Sequence, residues 1–281
     1  MLYNLILKQI KINIFVIKKI KMSNDGSSIK NGIKNISISS KGNCIYWFRK
    51  ALRLHDNPSF IYALENSTNV YPVFILDPWF VKNAKVGPNR WRFLIQSLND
   101  LNESLIKKNS RLILIKGQPL QVFPEKFKEW NIDLLCFEND TEPYAKQRDA
   151  DVIKLAKEFN VRVETKWSHT LYNLNYLYEK NGNKVCLTQQ SFTTLLGKIG
   201  DPPKPLPVPN QIFESLKDIN YDDYKIPDLE SMGVDLSKCG PCLYPGGETE
   251  SLRRLNEKLS NEAWVCNFEK PNTSPNSLQP S

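Results

Sequence analysis

The chain has 281 residues, 41% hydrophobic, 24% charged and 11% aromatic, with a formal net charge of +8 at pH 7. That supply of apolar side chains builds one α/β core with a smaller appendage and excludes two full helical domains. The positive balance raises the odds of a polyanionic partner such as DNA, although part of it sits in the first 41 residues, which are rich in Lys and almost free of acids.

Met1 to Lys21 alternates Ile, Leu and Phe with Lys. It is interrupted too often to span a bilayer and lacks the Arg of an organelle presequence. Residues 1–42 are read as a disordered basic leader, with Met22 as an alternative start and organelle targeting as the less favoured reading. A regular pattern begins at Cys44. Cys44-Ile45-Tyr46-Trp47-Phe48 is a short apolar run, as expected of a strand buried on both faces. Asn57-Pro58 opens a helix to about Asn66, with Asn57 as N-cap and Pro58 at the first helical position. Val70 to Leu76 is a second strand. Asn89 to Lys107 is a helix with Trp91, Leu94, Leu98, Leu101 and Leu105 on one stripe.

Leu112 to Ile115 is a third strand, Pro119 to Trp130 a helix, and Leu134 to Phe137 a fourth strand. Pro143 to Phe159 is a charged helix, and Val161 to Thr165 a fifth strand. Five alternating strand and helix units with short connections specify a parallel, Rossmann-like sheet with right-handed crossovers and helices on both faces. After His169 the rhythm fails. Asp201 to Pro209 is proline-stiffened, and Leu171 to Tyr244 reads as a long linker wrapping over the first domain. Helical spacing returns with Thr249, Leu252, Leu255 and Leu259, and Ala263 to Asn267 reads as a second short helix.

In an open parallel sheet, ligands sit beyond the carboxyl ends of the strands. Arg49-Lys50, Asp77 to Trp79, Gly117-Gln118 and Glu138 to Glu142 therefore surround one crevice. No Gly-x-Gly-x-x-Gly and no Walker loop is present, so the crevice suits a more neutral ligand than a nucleotide phosphate. Arg49, Arg53 and Asp56 have two readings: they fix the loop by capping each other, or they touch the ligand. Trp91 and Trp130 are read as core packing. His55 and His169 fall in separate loops with no adjacent nucleophile, which makes a hydrolytic triad improbable.

Six cysteines are present. Cys44 and Cys136 fall in buried strands as small apolar residues, and nothing suggests a secreted disulfide framework. Cys239-Gly-Pro-Cys242 copies the thioredoxin spacing, but a Pro- and Asp-rich segment precedes it where that chemistry needs a strand end and a helix. No metal site is expected there.

Tyr46 to Pro58 resembles the opening strand and loop of photolyases and cryptochromes. The resemblance continues through Tyr71 to Phe80, Asn89 to Leu94, Lys116 to Pro119, Glu142-Pro143-Tyr144, Arg148-Asp149 and Ser168 to Tyr172. It implies an α/β antenna domain over residues 43–170, an interdomain linker over 171–245, and the truncated start of an all-α FAD-binding domain over 246–281. Tyr244 to Glu250 and Asn267 to Leu278 look like (6-4) photolyases.

The family's chemistry implies electron transfer from reduced FAD to a flipped pyrimidine photoproduct in DNA, with a cryptochrome-type blue-light photoreceptor or circadian transcriptional regulator as the alternative. By position, Arg49, Lys50, Asp140 and Glu142 are the antenna-crevice candidates. Tyr144-Ala145 stands where folate-type antenna contacts use a polar pair, so a deazaflavin-type antenna, or none, is implied. Lys270 is the candidate for a phosphate contact, to DNA or near the flavin. The resemblance places the FAD site largely beyond Ser281, so this chain alone is expected neither to hold FAD nor to repair DNA. The expected protein is a monomer of the nucleus or cytoplasm, with no membrane or metal partner. The stretch from Gly246 is expected to be mobile, having no helices to pack against.

Overall fold

The computed structural model describes residues 41–78, 86–210, 212, 216, 219–237 and 239–266. All of the basic leader before Lys41 lies outside the described residues, as do Trp79, Lys270 and the motif from Asn267 to Leu278.

Strand β1 (Asn43–Phe48) leads to helix α1 (Pro58–Asn66), then β2 (Asn69–Leu76) and α2 (Pro88–Ile106). There follow β3 (Ile113–Lys116), α3 (Pro119–Glu129), β4 (Ile132–Glu138), α4 (Pro143–Glu158) and β5 (Arg162–Lys166). The five strands are all parallel, in the order β3-β2-β1-β4-β5. The β1–β2 register sets Tyr46 beside Pro72, and the β1–β4 register sets Tyr46 beside Cys136.

Side chains alternate across a strand, and β1 shows how that divides the core. Cys44, Tyr46 and Phe48 join Leu98, Leu101 and Leu105 of α2 and Phe60 of α1 in one cluster. Ile45 and Trp47 join Phe123 and Phe127 of α3 and Val152 and Ala156 of α4 in the other. Helices on both faces explain why β1, β2 and the Leu134–Phe137 stretch of β4 read as apolar runs. The edge strand β5 instead carries Arg162, Glu164 and Lys166, charges that discourage pairing with another chain.

Asn57 caps α1 as expected: its Oδ1 accepts the Phe60 N–H at 3.2 Å and also the buried Tyr46 hydroxyl at 2.7 Å. At the other ends of α2, α3 and α4, Asn109, Asn131 and Asn160 adopt φ of 62°, 48° and 57°. Asparagine tolerates this left-handed geometry, which turns the chain sharply out of a helix and into the next strand.

The segment expected as linker holds two helices, α5 (Leu174–Lys180) and α6 (Gln189–Ile199), and a 3₁₀ turn at Tyr221–Tyr224. Its later part is pinned to both cores. Ile226, Leu229 and Met232 pack on the α1–α2 side, while Leu216, Ile219 and Tyr224 pack on the α3–α4 side. Lys126 holds Glu129 at 2.6 Å and Tyr224 at 3.3 Å. Helices α7 (Glu248–Leu259) and α8 (Glu262–Cys266) close the described chain.

Candidate functional site

Strand order reverses between β1 and β4, so the loops leaving their carboxyl ends diverge and open a crevice. Glu138 stands at that point, 2% exposed. Its Oε1 accepts the Lys50 and Ala51 N–H groups at 2.7 and 2.8 Å, and Oε2 accepts the Ser168 hydroxyl at 2.6 Å. His169 Nδ1 lies 3.4 Å from the same Oε2. One buried carboxylate thus ties the loop after β1 to the exits of β4 and β5.

Arg49 turns inward. Its guanidinium meets Asp149 and the Glu138 carbonyl and lies 4.8 Å from the centres of both the Trp47 and Phe137 rings. Arg148 covers Trp47 at 4.9 Å and reaches Asp149 Oδ1 at 2.9 Å. Burial pulls the Arg49 pKa down while Asp149 opposes it. Lys50 points to the mouth, where its Nζ lies 2.9 Å from both Asp140 and Glu142. Desolvation works against the Lys50 charge, but the hydrogen bonds it donates to Glu142 and Asp140 outweigh it and raise its pKa. Asp140 is shifted the opposite way: burial raises it, and the bond from Lys50 brings the net pKa below the usual carboxylate range. Burial, then Asp77, pushes the Tyr144 phenol up.

These residues line a cavity of about 1050 Å³. Trp47, Phe74 and Leu76 at the strand ends form its floor, the first turns of α2 from Asn89 to Leu94 one side, and Lys50, Arg53, Asp140 and Glu142 another. All four anticipated crevice residues, Arg49, Lys50, Asp140 and Glu142, face it, and so do Asp77 and His55. Behind β3, Pro119 rather than Gly117 or Gln118 contributes to the wall. Arg53 and Asp56 fix the loop: Arg53 bonds the His55 and Asp56 carbonyls at 2.9 and 3.0 Å and the Ser168 carbonyl as well.

The remaining wall, Pro241 to Tyr244 with Gly247, Glu248, Ser251 and Leu252, was not anticipated from the sequence. Instead of hanging loose, the start of α7 is anchored: Glu248 accepts the Leu54 and His55 N–H groups, each at 2.9 Å. Leu255 and Leu259, at 53% and 57% exposure, do lack a cover. Cys242 lines the same wall with its Sγ 3.7 Å from the Gln96 amide, and both Cys239 and Cys242 are free thiols.

The cavity wall carries six arginine or lysine side chains, Arg49, Lys50, Arg53, Arg90, Arg92 and Arg148. Against them stand four lining carboxylates, Asp77, Asp140, Glu142 and Glu248, and behind the wall Asp149 pairs with both Arg49 and Arg148. Among the described residues no carboxylate lies within ion-pair distance of Arg90 or Arg92. Arg92 bonds the Gly240 carbonyl at 3.2 Å and the Asn89 side chain at 2.8 Å. Among the described residues no cluster of three or more His, Cys, Asp or Glu could hold a metal, and no helix is long and apolar enough to cross a membrane.

Residues 44–210 match the family described as DNA photolyase. The chain is 48% identical over 239 residues to Cryptochrome-2 of Gallus gallus, covering 83% of this chain and 41% of that protein. It is 46% identical over 245 residues to Cryptochrome-1 of Mus musculus, covering 84% and 40%. The chain therefore spans about two fifths of the length of these relatives. Among solved structures, a cryptochrome from Synechocystis sp. PCC6803 superposes with a TM-score of 0.70 at 23% identity, covering 82% of this chain and 48% of that one. An archaeal photolyase from Sulfolobus tokodaii, described with two FAD molecules and the implication of a novel light-harvesting cofactor, gives 0.60 at 25% identity, covering 76% and 46%.

Proposed function

The chain belongs to the DNA photolyase family, and on that premise we propose that it is the chromophore-binding α/β part of a cryptochrome-type flavoprotein, a blue-light photoreceptor or transcriptional regulator. The observation that carries this reading is the 48% identity to a cryptochrome over 239 residues, a span that takes in most of the chain. The reading of a (6-4) photolyase repairing UV-damaged DNA is second. It rests on the likeness of Tyr244 to Glu250 and of residues 267–278, the latter outside the described residues.

The cavity at the strand ends supports a bound chromophore. Pockets for small molecules commonly measure about 300–1000 Å³ and combine apolar walls with a few placed charges. Trp47, Phe74, Leu76 and Trp91 supply the apolar walls, and Arg90 and Arg92 offer charge to an anionic group. A flavin or deazaflavin bound there would supply light absorption. Arg49, Lys50, Asp140 and Glu142 are proposed to shape that site rather than to react: each already holds a neighbour. FAD as the redox cofactor, Lys270 as a phosphate contact, a monomeric state and a nuclear or cytoplasmic location belong to the same proposal.

The deciding experiment joins this chain to a remainder of the relatives' length and illuminates it with DNA carrying (6-4) lesions. Intact lesions alongside light-driven flavin reduction support the photoreceptor; light-dependent disappearance of the lesions supports repair.

A further inference from the structure

The segment Gly246 to Thr249 makes contacts in two directions. Toward α2, the Gly246 N–H bonds Gln96 Oε1 at 3.0 Å and the Thr249 N–H bonds Asp100 Oδ2 at 3.1 Å. Gln96 and Asp100 are one helical turn apart and present one docking face. The approach is close: a Cβ on Gly246 would stand 2.3 Å from the Phe93 carbonyl oxygen. Gly247 has φ of +124°, which side chains other than hydrogen rarely adopt. In the other direction, Glu248 extends both carboxylate oxygens to the Leu54 and His55 amides of the loop between β1 and α1. Arg254, nearly two turns further along α7, bonds the Leu243 carbonyl at 2.5 Å and covers the Tyr244 ring at 5.0 Å. It thereby braces the rest of the same wall.

We propose that Gly246–Thr249 is a latch, with Glu248 as the residue that positions the β1–α1 loop, so that docking of α7 and closure of the cavity are a single event. The loop has little else to hold these two amides. Leu54 is 2% exposed and has no water to turn to, and an orphaned buried amide is costly. A carboxylate is the strong acceptor for a pair of adjacent amides because both bonds are charge-assisted. Undocking the glycines from α2 withdraws Glu248 from the loop, and losing Glu248 releases α7 from its second anchor.

Amide hydrogen exchange on the full chain tests this. Glu248→Ala should speed exchange at Leu54 and His55, and across Gly246 to Leu252, by about tenfold or more. Glu248→Gln, which keeps one good acceptor oxygen, should fall between it and the native chain. Gly246→Ala leaves Glu248 in place but blocks docking on Phe93, and should speed Leu54 and His55 comparably. Amides of β1 and β4 such as Ile45 and Leu135 should be unaffected in all three. Unchanged Leu54 and His55 in either Glu248→Ala or Gly246→Ala would overturn the latch. So would equal acceleration at Ile45 and Leu135, which would mean that the whole fold had loosened. The readout needs no occupant, so it stands or falls apart from the chromophore reading.

Discussion

Arg49 and Arg148 converge on one oxygen, Oδ1 of Asp149, and both guanidinium groups lie over the ring of Trp47. Two like charges are tolerated this close because one carboxylate lies between them and one aromatic face beneath. The Arg49 side chain is only 6% exposed, so it cannot turn to water if that carboxylate goes. Asp149→Ala should therefore destabilise the fold by about 3–5 kcal/mol, the usual cost of breaking a buried pair from one side. Asp149→Asn, which keeps an acceptor, should cost less. Urea unfolding of the three proteins measures the order.

The Asn57 side-chain oxygen carries two loads at once, the first turn of α1 and the buried Tyr46 hydroxyl, while its Nδ2 donates to the Arg53 carbonyl at 3.1 Å. Asn57→Ala should cost about 1 kcal/mol for the cap and about 1–3 kcal/mol more for the hydroxyl left without its acceptor. Adding Tyr46→Phe should recover the second part, since the unsatisfied group is then gone. A double-mutant cycle with non-zero coupling is the expected result.

The cluster of Lys50, Asp140 and Glu142 should confer stability only inside a pH window. Asp140 is depressed in the folded state, so its contribution is complete above the unfolded value of about 3.9 and is lost as pH falls through the lower folded value. Lys50 is raised, so its contribution is complete below about 10.4 and is lost as pH rises through the higher folded value. The stability difference between the native chain and Lys50→Met should be flat through neutrality and shrink at both extremes. A flat difference extending into strong acid would contradict the assignment.

Arg90 and Arg92, without an ion pair among the described residues, give a prediction about occupants. FMN should bind more tightly than riboflavin, which has the same ring without the phosphate, and the difference should shrink with added salt. Replacing Arg90 and Arg92 together by Gln should bring the two affinities close to each other. Fluorescence titration reads both, because Trp47 and Trp91 line the wall. Equal affinity for the two probes in the native chain would remove the electrostatic part of the argument.

The sheet was largely legible because its central strands β1 and β2 are packed from both sides and are apolar almost throughout. The fourth strand shows the limit of that signal. Expected over Leu134 to Phe137, it runs from Ile132 to Glu138. Asp133 is exposed and interrupts the apolar run, and Glu138 is buried through its hydrogen bonds rather than through hydrophobicity. Helices α5 and α6 were missed because only Leu195 among their residues is buried, so no apolar stripe marks them. The four crevice residues could be found because they directly follow strands. Glu248 could not, because it meets Leu54 across 194 positions of sequence, and such a contact leaves no local period to read.

The distance along the chain also sets an order in time. The last strand among the described residues ends at Lys166, and Glu248 is the 82nd residue after it. At roughly 5–20 residues per second of synthesis, that interval is roughly 4–16 s. Over those seconds the strand ends would stand with one wall of the cavity still missing, until Gly246 and Thr249 can reach Gln96 and Asp100 on α2.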